Sequence, residues 1–98
     1  MAKFVVFHTL STPTPISEGV PVAKAAKKYS APEATWVSTW MQLDEKGNAT
    51  KLYSEWDAKD VESIRQVLKK IQLEIPWVEK GFALDGIYPL RKVDSGMY

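Results

Sequence analysis

Hydrophobic residues follow strand-like and helical patterns in separate segments of this chain, and each segment predicts one element. A β-branched and aromatic run over residues 3–10 (KFVVFHTL) has the length of a strand, and a cluster of Ser, Thr and Pro ends it. Residues 20–29 predict a first helix, and Pro21 fits only in its first turn. Residues 35–56 predict two strands joined by a tight turn, and residues 81–88 predict a last strand.

The second helix follows the hairpin and has the clearest periodicity in the chain. Its apolar residues recur at i, i+3, i+6, i+7 and i+10 and form one stripe: Val61, Ile64, Val67, Leu68 and Ile71. Polar and charged residues occupy the rest of its surface. We expect Asp57 to cap this helix and Asp60 to lie in its first turn.

The element order is therefore strand, helix, strand, strand, helix, strand, which predicts an α+β fold. Two amphipathic helices can cover only one face of a four-stranded antiparallel sheet, and uncrossed connections give the ferredoxin-like βαββαβ arrangement. We expect one ferredoxin-like domain over residues 1–90 and a frayed C-terminal tail over residues 91–98. The other face of the sheet stays open, and an apolar open face must meet a partner or a ligand.

The turn of the hairpin predicts which side chains share a face. DEKGN (residues 44–48) suits a type I turn followed by a left-handed glycine, with Asp44 opposite Asn48. Continued without interruption, this register divides the two strands into two sets. One set is Trp36, Ser38, Trp40, Ser54 and Trp56, and the other is Val37, Thr39, Met41, Tyr53 and Glu55. We assign the second set to the face of the sheet that the helices cover, and we assign the first set to the open face.

Composition narrows the possible functions. The chain has 98 residues, 45% of them hydrophobic and 26% charged, which is typical of one globular domain. A net charge of +1 gives no electrostatic attraction to nucleic acid or to an anionic membrane. RNA-recognition domains share this strand order, but the third strand here lacks their basic, glycine and aromatic pattern. The absence of cysteine excludes disulfides and thiolate chemistry, and no signal peptide or membrane span is apparent, so we expect a cytoplasmic protein.

Two stretches resemble a known family. KLYSEWDAKD (residues 51–60), followed by Ile64-Arg65, resembles the third strand and second helix of the DUF4242 proteins, and GIYPL (residues 86–90) resembles the end of their last strand. Some members of that family are described as nickel-responsive or nickel-binding. Ser54 stands where the family often has cysteine, so a soft metal ligand is lost. More broadly, the chain resembles the dimeric α+β barrels, which include cofactor-free monooxygenases and muconolactone isomerases. This resemblance implies a homodimer whose sheets face each other.

The candidate site follows from these assignments. We expect a small molecule to bind Trp36, Ser38, Trp40, Ser54 and Trp56 in an aromatic cavity between the two sheets. Alternatively, the indoles only fill a self-association interface. His8, the only histidine, is the candidate base of a cofactor-free monooxygenase or isomerase. A one-residue slip of the hairpin would bring Glu55 to the cavity as its partner.

Metal binding is the remaining alternative. A transition metal needs about three or four protein ligands, and one histidine without cysteine leaves only carboxylates to complete a site. His8 is the candidate metal ligand, and nickel is the metal that the family resemblance suggests. We otherwise expect no cofactor.

Overall fold

The structure, a computed structural model, describes the whole chain from Met1 to Tyr98. Its strands are β1 (Ala2–Thr14), β2 (Ala34–Leu43), β3 (Ala49–Ala58) and β4 (Phe82–Pro89). Its helices are α1 (Val20–Tyr29), α2 (Val61–Glu74) and the short α3 (Trp77–Gly81). Turns of 3-10 helix lie at Ile16–Gly19 and Ser95–Met97. None of the helices is long and apolar enough to cross a membrane.

The four strands form one antiparallel sheet in the order β2-β3-β1-β4. This order and the helices on one face confirm the predicted ferredoxin-like βαββαβ fold. The strand β1 is central, as its continuous run of β-branched and aromatic residues indicates. It pairs with β3 on one side and with β4 on the other, so its side chains lie in the middle of each sheet face.

The helical side of the sheet holds the hydrophobic core. Val6 of β1, Trp56 of β3 and Ile64 of α2 are the largest side chains that are fully buried. The first helix contributes only small buried residues, Ala25 and Ala26. The stripe predicted for α2 faces this core, and Leu73, off the stripe, is exposed.

Three features differ from the sequence-based expectation, and the first is that β1 continues through the Ser, Thr and Pro cluster to Thr14. The strand β3 continues through Asp57, which forms an ion pair with Lys3, so Asp57 does not cap α2. The cap is Asp60, whose side chain accepts a hydrogen bond of 2.8 Å from the backbone N–H of Ser63. The helix α3 was not expected, and it starts at Trp77 directly after Pro76, which can precede or begin a helix although it cannot continue one.

The turn of the hairpin is as predicted. The backbone N–H of Asp44 donates to the carbonyl oxygen of Asn48 over 2.8 Å, and Gly47 has a positive φ of 81°. The strands that leave this turn are nevertheless interrupted twice. Thr50 is an extra residue in β3, and Val37 is an extra residue in β2, so the ladder shifts by one position at each.

These two bulges divide the predicted sets, because they separate Ser38 and Trp40 from Trp36, Ser54 and Trp56. Between the bulges, Thr39 lies opposite Ser54 and Trp40 lies opposite Tyr53; beyond the second bulge Trp36 again lies opposite Trp56. The helical face therefore carries Trp36, Thr39, Met41, Leu52, Ser54 and Trp56. The open face carries Ser38, Trp40, Tyr53 and Glu55. The assignment of Trp36, Ser54 and Trp56 to the open face was wrong, as was that of Val37, Tyr53 and Glu55 to the helices.

Candidate ligand-binding cavity

A cavity of about 270 Å³ lies between the sheet and the helices of a single chain. Eleven of its sixteen lining residues are hydrophobic, so a ligand there would meet a mostly apolar wall. The sheet contributes one wall: His8, Trp36, Thr39, Met41, Leu52, Ser54, Trp56 and Phe82. The helical side and its connections contribute the other: Gly19, Val22, Ala23, Ala26, Leu68, Ile71, Gln72 and Val78.

A chain of hydrogen bonds crosses the sheet side of the cavity. The indole Nε1–H of Trp36 donates to Thr39 Oγ1 over 2.9 Å, and Thr39 Oγ1 lies 2.8 Å from Ser54 Oγ. The bulge at Val37 brings Trp36 and Thr39, three residues apart, to the same face of β2. We call these three side chains the hydroxyl chain. It supplies the cavity with oriented polar groups in an apolar setting.

Two further polar atoms are buried without any hydrogen-bond partner: Trp56 Nε1 and His8 Nδ1. Buried polar groups are nearly always paired, because an unpaired one loses its bonds to water and gains none in return. Both residues line the cavity. Their orphaned atoms are therefore positions where a bound molecule could supply the missing partner.

The neutral form of His8 is favoured in this setting. Burial lowers the pKa of its imidazolium below the ordinary value of 6.5, because the apolar surroundings penalise the charged form. The carboxylate of Asp85 opposes this effect only in part. Asp85 is a bulged residue of β4 beside His8, and it accepts a hydrogen bond of 2.5 Å from Thr9 Oγ1. His8 is consequently neutral near pH 7, the form that can accept a proton.

The predicted site residues divide between the two faces of the sheet. His8, Trp36, Ser54 and Trp56 come together in the cavity, although inside one chain and not between two sheets. Ser38 and Trp40 do not line it.

Glu55 is also outside the cavity. It lies opposite Val5 on the open face, where Lys3 Nζ binds its carboxylate over 2.6 Å. The pairing of the hairpin is shifted by one residue, as the alternative required, and this places Glu55 on the open face. His8, however, lies on the face that the helices cover. Glu55 is therefore not the acid–base partner of His8.

Sequence reasoning missed several residues of the cavity. Thr39 was assigned to the correct face but not to a site, and Gln72 was not singled out. The alternation of β3 carried a usable signal. Lys51, Glu55 and Asp57 alternate with Leu52, Ser54, Trp56 and Ala58, so the charged set marks the solvent side and the second set marks the core.

The cavity does not suit a nickel ion. No group of three or more His, Asp, Glu or Cys side chains in the chain could hold a metal ion. His8 is surrounded mainly by hydrophobic residues and hydroxyls, which are poor ligands for nickel.

The open face carries a second cluster of aromatic residues. Phe7 contacts Tyr53 edge-on, with ring centroids 5.4 Å apart, and lies 5.8 Å from Tyr88. Trp40, opposite Tyr53, is 76% exposed, and Tyr88 is 53% exposed. We call these four residues the aromatic surface. A contiguous group of exposed rings is characteristic of an interface.

Comparison with known proteins supports the fold. No protein-family model matches the chain, and no curated protein sequence matches the chain either. The resemblance to DUF4242 therefore stays a prediction. A solved structure similar to this chain is SnoaB, a cofactor-independent oxygenase from Streptomyces nogalater, with a TM-score of 0.55, 15% identity and 96% of each chain covered. A de novo designed protein with a ferredoxin fold has a TM-score of 0.51 and 16% identity, and the match covers 97% of this chain and 90% of the designed one. At these identities the likeness establishes the ferredoxin-like fold.

The partly buried, neutral His8 predicts how stability depends on pH. Its pKa is lower in the folded chain than in the unfolded chain, so the unfolded chain binds more protons as the pH falls below about 6.5. The folded chain therefore keeps its full free energy of unfolding above that pH. It loses part of this free energy as the pH falls through the pKa that His8 has in the folded chain. Urea unfolding at about pH 7.5, 6.5 and 5.5 should therefore show a declining free energy of unfolding.

The variant His8→Gln is the control, and its free energy of unfolding should vary less over this pH range. The carboxyls with lowered pKa, Asp60 and Glu74, titrate below their ordinary values of 3.8 and 4.5 and so act outside this window. The same decline in the variant as in the wild type would show that His8 is not the group responsible.

Proposed function

We propose that this protein binds a small, largely apolar molecule in the cavity between its sheet and helices. The observation that carries the proposal is the combination of an apolar wall with two orphaned polar atoms, Trp56 Nε1 and His8 Nδ1. An apolar wall binds the body of a ligand through the hydrophobic effect, and a few polar groups orient it. The volume is just below the roughly 300–1,000 Å³ of typical ligand pockets, so we expect a ligand of one or two rings.

A simple hydrocarbon tests whether the cavity accepts ligands. We expect tetralin, a two-ring hydrocarbon, to bind the wild-type protein in isothermal titration calorimetry. The variant Ala26→Leu adds three carbon atoms to the wall and should weaken binding at least about tenfold, since overfilled sites lose ligand contacts or strain the core. Lys27→Leu places the same side chain on the exposed side of α1 and should bind like the wild type. Equal affinity in all three proteins would contradict binding in this cavity.

A second candidate function is cofactor-free proton transfer with His8 as the base. The observation that favours it is a neutral imidazole, one nitrogen of which has no partner, on the wall of the cavity. In such a step a proton moves from a carbon of the ligand next to a carbonyl group to the imidazole. The electron pair of the broken C–H bond forms a carbon–carbon double bond, and the π pair of the carbonyl group moves to its oxygen, which gives an enolate. Return of the proton to the carbon completes the cycle. SnoaB is named a cofactor-independent oxygenase, and its similar fold supports chemistry without a cofactor here.

Deuterium exchange tests this step directly. We expect the protein to accelerate the exchange of hydrogen for deuterium at the carbon beside the carbonyl group of 1-tetralone. The reaction is carried out in D₂O and is monitored by proton NMR. A general base raises the rate of proton transfer by about 10²–10⁴-fold, so the His8→Gln variant should lose a rate acceleration of that size. Glu55→Gln is the matched control, because Glu55 lies on the open face, and it should exchange at the wild-type rate. An unchanged rate in His8→Gln would remove His8 as the base.

We further propose that the aromatic surface pairs with its copy in a second chain. Exposed Trp40 and Tyr88 supply apolar area, and the ion pairs of Lys3 with Glu55 and Asp57 leave one net negative charge beside them. A small domain gains stability from burying such area. This interface uses the opposite side of the sheet from the cavity, so self-association and ligand binding can coexist.

Light scattering tests the pairing. The chain has a mass of 11.1 kDa, and we expect the wild type to have about twice that mass in solution. Trp40→Ser should shift the mass towards the monomer, because large aromatic residues dominate interface energies. Trp77→Ser is the control, since Trp77 is also a partly exposed indole but lies on α3, against Phe82. A wild-type monomer, or equal effects of both variants, would contradict the proposed interface.

A further inference from the structure

The hydroxyl chain contains three donor protons but only two hydrogen bonds. Trp36 Nε1–H donates to Thr39 Oγ1, and one hydroxyl proton lies between Thr39 Oγ1 and Ser54 Oγ. The two hydroxyl groups carry two protons, and only one of these protons lies between them. The other proton therefore has no acceptor within the hydroxyl chain. If Thr39 donates to Ser54, the free proton is on Ser54; if Ser54 donates, it is on Thr39.

The free proton belongs to a group that faces the cavity. Both Thr39 and Ser54 line it, and Ser54 is only 8% exposed. A buried hydroxyl without an acceptor is unfavourable and is uncommon in native structures. The geometry therefore leaves one oriented donor on an otherwise apolar wall.

We infer that the Thr39–Ser54 pair binds the oxygen of a ketone or phenol, and that this oxygen defines the ligand class of the cavity. The inference rests on the proposed function, ligand binding in this cavity. A carbonyl or phenol oxygen accepts the free proton, while the ring system of the ligand lies against the apolar wall. Trp36 is the positioning residue, because its N–H occupies one lone pair of Thr39 Oγ1 and so restricts the direction of the remaining donor.

The sheet register brings this donor near His8. His8 lies opposite Leu52, and Ser54 is the next residue on the same face of β3. Such diagonal neighbours have Cα atoms about 7–8 Å apart. A two-ring ketone can therefore contact both groups, with its oxygen at the hydroxyl pair and an adjacent C–H bond towards His8. Loss of that proton would make the oxygen negative, and hydrogen bonds to charged oxygen are the stronger ones.

Matched ligands that differ in one oxygen test the inference. We expect Thr39→Val/Ser54→Ala to bind 1-tetralone about 2- to 10-fold more weakly than the wild type, which is the range for one neutral hydrogen bond. The same variant should bind tetralin as tightly as the wild type or more tightly. Ser38→Ala removes a hydroxyl from the open face of β2 and should change neither affinity. Calorimetry measures all of these affinities.

The two proposals fail in different ways. Unchanged binding of 1-tetralone by the double variant, with tetralin bound normally, would overturn the inference and leave cavity binding intact. Failure of the wild type to bind either compound would overturn both. Infrared spectroscopy of 1-tetralone bound to the wild type needs no variant. Its carbonyl stretch should lie at lower frequency than in an apolar solvent, and an unshifted stretch would overturn the inference even if the double variant did not fold.

Discussion

Unequal side-chain sizes on the covered face of the sheet create the cavity. Trp36 and Trp56 are large, whereas Thr39 and Ser54 between them are small, and α1 covers this uneven surface with Ala23 and Ala26. Protein interiors normally fill such gaps, because each unfilled volume loses dispersion contacts and destabilises the fold. A chain that keeps small residues on both sides of the gap gives up some packing energy, and a bound molecule can restore it.

The two faces of the sheet suit two different tasks. The covered face combines an apolar wall with a neutral histidine and a hydroxyl pair, and the proposed ligand binding and proton transfer depend on this combination. The open face combines aromatic rings with the ion pairs of Lys3, which is a setting for contact with another protein surface. Because side chains alternate between the two faces along the uninterrupted part of β3, Glu55 can serve only one of these tasks.

The sequence was sufficient to predict the elements and their order. The periodicity of α2, the position of Pro21 and the DEKGN turn each depend on local chemistry, and each is as predicted. The faces of the hairpin depend on where the ladder is interrupted, and nothing in the residues at Val37 or Thr50 marks them as extra. The cavity depends in turn on those faces and on how α1 packs over them. His8, Trp36, Ser54 and Trp56 were expected together and do line one cavity, while the side of the sheet expected for the three hairpin residues was wrong.

The paired bulges of the hairpin have an evolutionary consequence. Each bulge is one residue, so deletion of a single codon at Val37 would restore regular pairing there and keep Trp36 opposite Trp56 on the covered face. Trp36 and Thr39 would then be two residues apart and would still share that face, as regular alternation requires. An elementary genetic event could in this way remove the irregularity without altering the wall of the cavity or the order of helices and strands.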